Sequence, residues 1–173
     1  SYEYSELNIL KSESVWCRVN MASNENINIG VCYRSQAAED DEVKELFKAI
    51  ETASNEQVMI MGDFNYPKIN WETFECDSYG VQFRDLLLDN YLFQNVRDST
   101  RENNILDLVI SSDVNLVTEV NVLEHLGNSD HNIIVWKLIC DVGLSKTKLP
   151  VRQYHKANFG DMRNCMVSGY YLG

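Results

Sequence analysis

Three places in this sequence set chemically able polar side chains where an apolar strand pattern ends or breaks. The first is Asp63 and Asn65, which follow the apolar run 57–62. A carboxylate can move a proton or hold a hard cation, and a carboxamide can hold an anionic oxygen. In an extended chain, residues two apart face the same side, so these two are expected to project together from a sheet rim. Gly62 would allow close backbone approach just before them. The second place is Asp107, flanked by Leu106, Leu108, Val109 and Ile110. A carboxylate there costs free energy unless it is paired or faces outward. The third is Ser129, Asp130 and His131, immediately before the apolar stretch 132–140. A histidine needs a partner to hold one tautomer, and Asp107 on a neighbouring strand is a candidate. Asp63, Asp107 and Asp130 could together supply oxygen ligands for Mg²⁺ and an acid–base pair. Each place also has a plainer reading: a turn, an exposed strand face, a loop ending.

The elements that must position these groups follow from periodicity. Residues 14–20 and 27–34 alternate as strands around a polar link and predict a hairpin. Residues 38–53 predict a helix, with acids in its first turn and Val43, Leu46, Phe47 and Ile50 at helical spacing. The run 57–62 reads as an inner strand buried on both faces. A second helix is expected over 79–90, with Phe83, Leu86 and Leu87 inward. Strands are expected over 91–96, 105–111, 116–123 and 132–140. Without strict alternation of strand and helix, the pattern favours a mixed sheet or two packed sheets over a doubly wound nucleotide fold. There is no GxGxxG and no Walker loop.

The length of 173 residues, the 45% apolar content and the 24% charged content suit one domain with a real core. No apolar run reaches the roughly 20 residues of a membrane span. Five cysteines without CxxC spacing read as buried thiols, which implies a reducing compartment, nucleus or cytoplasm. The net charge of −11 argues against a simple nucleic-acid coat protein. That charge is uneven. Residues 141–173 hold five bases against two acids, a net of +3, which leaves −14 on residues 1–140. The basic stretch is broken by Gly and Pro, with at most one short helix near 158–167, and reads as a linker toward another domain.

Taken in order, "GDFN" at 62–65, "LDLV" at 106–109 and "SDH" at 129–131 resemble the later motifs of the endonuclease/exonuclease/phosphatase superfamily. The finer resemblance is to the endonuclease domain of LINE-type (non-LTR) retrotransposon polyproteins. It is carried also by "GVCYRS" at 30–35, "DSTRENNILDLVISSD" at 98–113, "LGNSDHNIIVW" at 126–136 and the linker-like "VRQYHKANFGDMRNCM" at 151–166. The resemblance covers nearly all of the chain. It implies a deoxyribonuclease I-like α/β fold, a four-layer α-β-β-α sandwich with mixed sheets, and Mg²⁺- or Mn²⁺-dependent hydrolysis of a DNA phosphodiester. It also implies residue roles. Asp63 would activate water or handle the leaving group's proton, and Asn65 would hold the scissile phosphate. Asp107 would orient His131, which would meet charge on the phosphate. Tyr33 would bond a phosphate oxygen, Asp130 would help bind the metal, and Ser129 and Thr100 would contact the DNA backbone.

The family's opening motifs, a strand ending in a catalytic Asn and a strand carrying a metal-binding Glu, have no counterpart here. Glu3, Glu6 and Glu13 lack the apolar-strand context. The expectation is therefore the C-terminal portion of such a domain over 1–140, an incomplete sandwich, with 141–173 leading toward a reverse transcriptase. It would act as a monomer, with DNA as partner and no membrane contact. On its own the chain would nick DNA poorly. Two rival readings stand beside this one: a catalytically inactive retroelement remnant with at most weak nucleic-acid binding, and a phosphatase acting on a small phosphoester.

Overall fold

The computed structural model describes residues 4–6, 13–21 and 26–139. The linker expected over 141–173, with its short helix, lies outside the described residues. Ten elements follow one another: β1 (Tyr4–Glu6), β2 (Ser14–Asn20), β3 (Asn26–Tyr33), α1 (Asp40–Ala53), β4 (Gln57–Asp63), α2 (Val81–Asp89), β5 (Phe93–Gln94), β6 (Asp107–Ser111), β7 (Val117–Leu123) and β8 (Ile133–Leu138). The first six strands in chain order form one sheet, ordered β1-β2-β3-β4-β6-β5, and β7 pairs with β8 in a second.

β2 and β3 make the expected hairpin, antiparallel over its full length. β3 and β4 run parallel, as they must when α1 carries the chain back between them. β6 then joins β4 antiparallel, so the large sheet is mixed. β1 is an edge strand that sequence periodicity did not mark, paired to β2 through Tyr4, Ser5 and Glu6. The strand expected over 91–96 shrinks to Phe93–Gln94. Tyr91 takes a φ of 52° as the chain leaves α2, and that breaks extended geometry.

Period-two alternation divides the core into two slabs. Val58 and Ile60 of β4, with Leu108 and Ile110 of β6, face the helices and pack with Leu46, Ala49 and Ile50 of α1 and Phe83, Leu86 and Leu87 of α2. Met59 of β4 and Val109 of β6 face the other way, toward the cluster that holds Val120, Val122, Ile134 and Trp136 of the small sheet. β4 is therefore covered on both sides. The described residues form three layers: helices, large sheet, small sheet. Cys17, Cys32 and Cys76 are free thiols, and burial pushes that of Cys32 up to about 12.

Aromatic packing fixes the chain where it leaves β4. Phe64 and Tyr66 stack on Phe83 of α2 at 5.0 and 4.7 Å between ring centres, and Trp71 meets the same ring edge-on at 6.3 Å. The residues between and before these anchors, Asp63 and Asn65, are thereby held at the end of the sheet.

Candidate active site

The site begins with strand register. Tyr33 at the end of β3 lies opposite Asp63 at the end of β4, and Asp63 lies opposite Asp107 at the start of β6. Three neighbouring strands thus bring their functional side chains to one rim. Gly62 makes this packing possible: its φ is +143°, and a Cβ on it would lie 1.8 Å from the Cys32 carbonyl oxygen.

His131 arrives from the loop before β8. Its Nδ1 lies 2.8 Å from Asp107 Oδ2, with both side chains about a quarter exposed. Pairing at Nδ1 leaves Nε2 as the ring's free nitrogen. Several ties hold that loop. The Asn132 amide donates to the Thr100 carbonyl at 2.7 Å. The His131 amide donates to Ser129 Oγ at 3.1 Å. Thr100 is itself fully buried, and its Oγ1 accepts from the amides of Leu106 and Asp107 at 3.0 Å each. The Thr100 hydroxyl thus holds the start of β6 at Asp107, and its carbonyl ties the His131 loop. Ser129 is exposed, and its hydroxyl is used within its own turn.

Asn65 also departs from the simple reading. It has φ 52°, so it is left-handed rather than extended, and it is 6% exposed. Alternation along a strand therefore cannot be what sets it beside Asp63. A local clamp does. The Asn65 amide donates to Asp63 Oδ1 at 3.1 Å, and Asn65 Nδ2 donates to the Arg34 carbonyl at 2.9 Å. Arg34 returns the grip, its Nη1 donating to the carbonyls of Phe64 and Asn65 at 3.3 Å each. Arg34 is 2% exposed, and its guanidinium stacks on Tyr66 and Tyr79 at 4.2 and 4.9 Å. The Asn65 carboxamide also hydrogen-bonds the Asp63 carboxylate, and its oxygen accepts from Gln36 Nε2 at 3.4 Å.

Tyr33, Gln36, Asp63, Asn65, Asn104 and His131 line a single open cleft of about 580 Å³. Burial, then the charge of Asp107, raises the Asp63 carboxyl above its ordinary value; His131 and the Asn65 amide act against that rise. Ligand atoms of Asp63, Asp107 and His131 lie within 4.8 Å of one another, and among the described residues they are the group able to hold a metal ion. Two facing carboxylates, with Asp107 raising the proton affinity of Asp63, fit a hard divalent cation, which would offset their mutual repulsion. Asp130 stands outside this group. Its carboxylate is 64% exposed and pairs with Arg101 at 2.5 Å, a contact that braces the His131 loop.

The profile of the endonuclease-reverse transcriptase family matches residues 27–135, more than half of the chain and every site residue named above. The chain belongs to that family. Among solved structures, this family member is similar to the endonuclease domain of TRAS1, a telomere-specific non-LTR retrotransposon. The TM-score is 0.68 at 17% identity, over 82% of this chain and 69% of the TRAS1 chain, a likeness of fold. The human Nocturnin catalytic domain with bound sulfate anion also aligns, with a TM-score of 0.42 at 13% identity over 78% of this chain and 60% of that one. No curated protein matches it. The fold is thus a mixed α/β sandwich of the retrotransposon-endonuclease type.

Sequence reasoning brought Tyr33, Asp63, Asn65, Asp107 and His131 forward; four of them line the cleft, and Asp107 is bonded to His131 beside it. It missed Arg34 and Arg101. Arg34 stood in view within "YRS", but nothing in the sequence marks a cation for burial between two tyrosines from a distant loop.

Proposed function

We propose that this cleft hydrolyses a DNA phosphodiester, nicking target DNA as the endonuclease portion of a retrotransposon polyprotein. The pairing of His131 with Asp107, opposite Asp63 on adjoining strands, is the observation that carries the reading. Asp63 is half-buried and holds its proton more tightly than an ordinary carboxyl. That suits it to take the proton of the attacking water, or to return one to the leaving oxygen. As the water oxygen bonds to phosphorus, the bond to the departing sugar oxygen breaks. His131, kept in place by Asp107, turns Nε2 toward the phosphate and offsets its growing charge. Asn65 and Tyr33 hold phosphate oxygens on either side. Asp63 and Asp107 would hold Mg²⁺ or Mn²⁺, which supplies charge neutralisation at the phosphate when bound.

DNA and the reverse transcriptase of a parent polyprotein are the partners this reading implies. The free thiols suit a reducing compartment, nucleus or cytoplasm. Among the described residues no helix is long and apolar enough to cross a membrane. The chain spans 69% of the TRAS1 domain it matches. The test therefore compares the chain alone with the same chain fused behind the N-terminal part of a family endonuclease. The fusion is expected to nick supercoiled plasmid in Mg²⁺, to stop in EDTA, and to lose about 100-fold in rate with His131→Ala. The chain alone should nick weakly, since two carboxylates are few ligands for a cation that takes about six oxygens. Nicking by the fusion that ignores His131→Ala overturns the mechanism. DNA binding by the fusion without any nicking favours the second reading, an inactive remnant.

A further inference from the structure

A second cavity, of about 700 Å³, adjoins the catalytic cleft and shares Pro67 and Asn104 with it. Its other lining residues include Lys68, Trp71, Arg97 and Asn103. The volume falls within the roughly 300–1,000 Å³ of small-molecule sites.

The charges of this acidic chain make Arg97 unusual. Arg18, Lys44, Lys68, Arg84, Arg101 and Lys137 are each held in an ion pair. Arg34 is buried. Arg97 is exposed, lines the cavity and has no side-chain partner among the described residues. Lys48 is also exposed and without a carboxylate, but it projects from α1 and does not line the cavity.

Glu72 lines the cavity too, as does the polar turn that carries Asn103 and Asn104. The turn from Arg101 to Asn104 is closed by paired backbone hydrogen bonds, the Arg101 amide to the Asn104 carbonyl at 3.1 Å and the Asn104 amide to the Arg101 carbonyl at 2.9 Å. The side-chain amides of Asn103 and Asn104, both on this turn, make no hydrogen bond within the described residues. Trp71, 5% exposed, has an indole N–H that the fold leaves without an acceptor. A free cation and free carboxamides are what a phosphate–sugar unit would engage.

We propose that this cavity binds the DNA backbone next to the cleaved phosphate, with Arg97 on a phosphate oxygen and Asn103 and Asn104 on the sugar–phosphate edge. Lys68, held to Asp77 at 3.3 Å, stands by as a second cation. The inference rests on the nuclease reading and deepens it: the strand would run from the cleft past Asn104 and Pro67 into this cavity.

The test is fluorescence anisotropy of the whole chain with a labelled 20-base-pair duplex, in EDTA so that nothing is cut, from about 50 to 200 mM salt. Arg97→Gln is expected to weaken binding about fivefold at the lowest salt and to reduce the salt slope by about one. Asn103→Asp should weaken binding in the same direction, and Lys48→Gln, the same charge loss on α1, should change it less than about twofold. Equal effects of Arg97→Gln and Lys48→Gln overturn the proposal, as does wild-type chain that binds no duplex at about 50 mM salt. Arg97 is exposed, so its loss should spare the fold, which a thermal melt of each variant checks. The plasmid assay separates the two readings. Nicking that depends on His131 alongside binding that ignores Arg97 removes the subsite alone. Binding that depends on Arg97 alongside nicking that ignores His131 removes the nuclease reading alone.

Discussion

Replacing Gly62 by alanine should unfold much of what positions the cleft. The added methyl carbon would lie 1.8 Å from the Cys32 carbonyl oxygen and 2.8 Å from its carbon. Ordinary contact needs about 3.3 Å or more, so β3 and β4 would have to part by over about 1 Å where their ladder is continuous. The φ of +143° adds a second cost, since L-residues rarely adopt it; about 1–3 kcal/mol is typical for such strain. Clash and strain together should cost at least about 3 kcal/mol, a large part of the roughly 5–15 kcal/mol that holds a domain. Urea unfolding followed by circular dichroism measures this. Gly127→Ala is the control: φ is +63° but no atom lies within 4 Å of the new carbon, so only about 1 kcal/mol should be lost. Any Gly62→Ala protein that remains folded should have Asp63 displaced, and a misplacement near 1 Å costs about 100-fold in rate. A Gly62→Ala chain as stable as Gly127→Ala would refute the argument that this close approach fixes the end of β4.

Asp63→Asn should stabilise the metal-free chain near neutral pH while abolishing nicking. The raised carboxyl contributes stability that is present below its unfolded value of about 3.8 and is lost as pH rises through the folded value. The asparagine variant keeps that contribution, so its melting advantage in EDTA should vanish in acid; an advantage independent of pH would dismiss the cause. Thr100→Val should cost about 1–3 kcal/mol in urea unfolding, because one buried and one part-buried amide lose their acceptor. A loss below about 1 kcal/mol would mean that those amides find another acceptor. Mg²⁺ or Mn²⁺ at about 100 times its dissociation constant should add about 2.7 kcal/mol to wild-type stability and far less to an Asp63→Asn, Asp107→Asn double variant. Equal gains in both proteins would place the cation elsewhere.

Sequence alone determined most of the elements and singled out the candidate groups. Strand and helix periods are local properties, so the β2–β3 hairpin, both helices and the inner strand β4 were legible from the spacing of apolar residues. Asp107 was legible for the same reason: a carboxylate inside an apolar strand announces a partner. What it could not determine was who meets whom. The edge strand Tyr4–Glu6 has no strong period and exists because β2 offers it a ladder. The left-handed turn at Asn65 depends on Arg34 and on Phe64 and Tyr66 stacking against Phe83, groups brought together from separate parts of the chain. Packing buries Thr100 where two backbone amides need an acceptor. Asp130 follows Ser129 in the sequence, but its pairing with Arg101 is set by the tertiary fold. Alternation and composition are written residue by residue, whereas desolvation, ion pairing and close approach depend on neighbours far away in sequence, and only the folded chain supplies them.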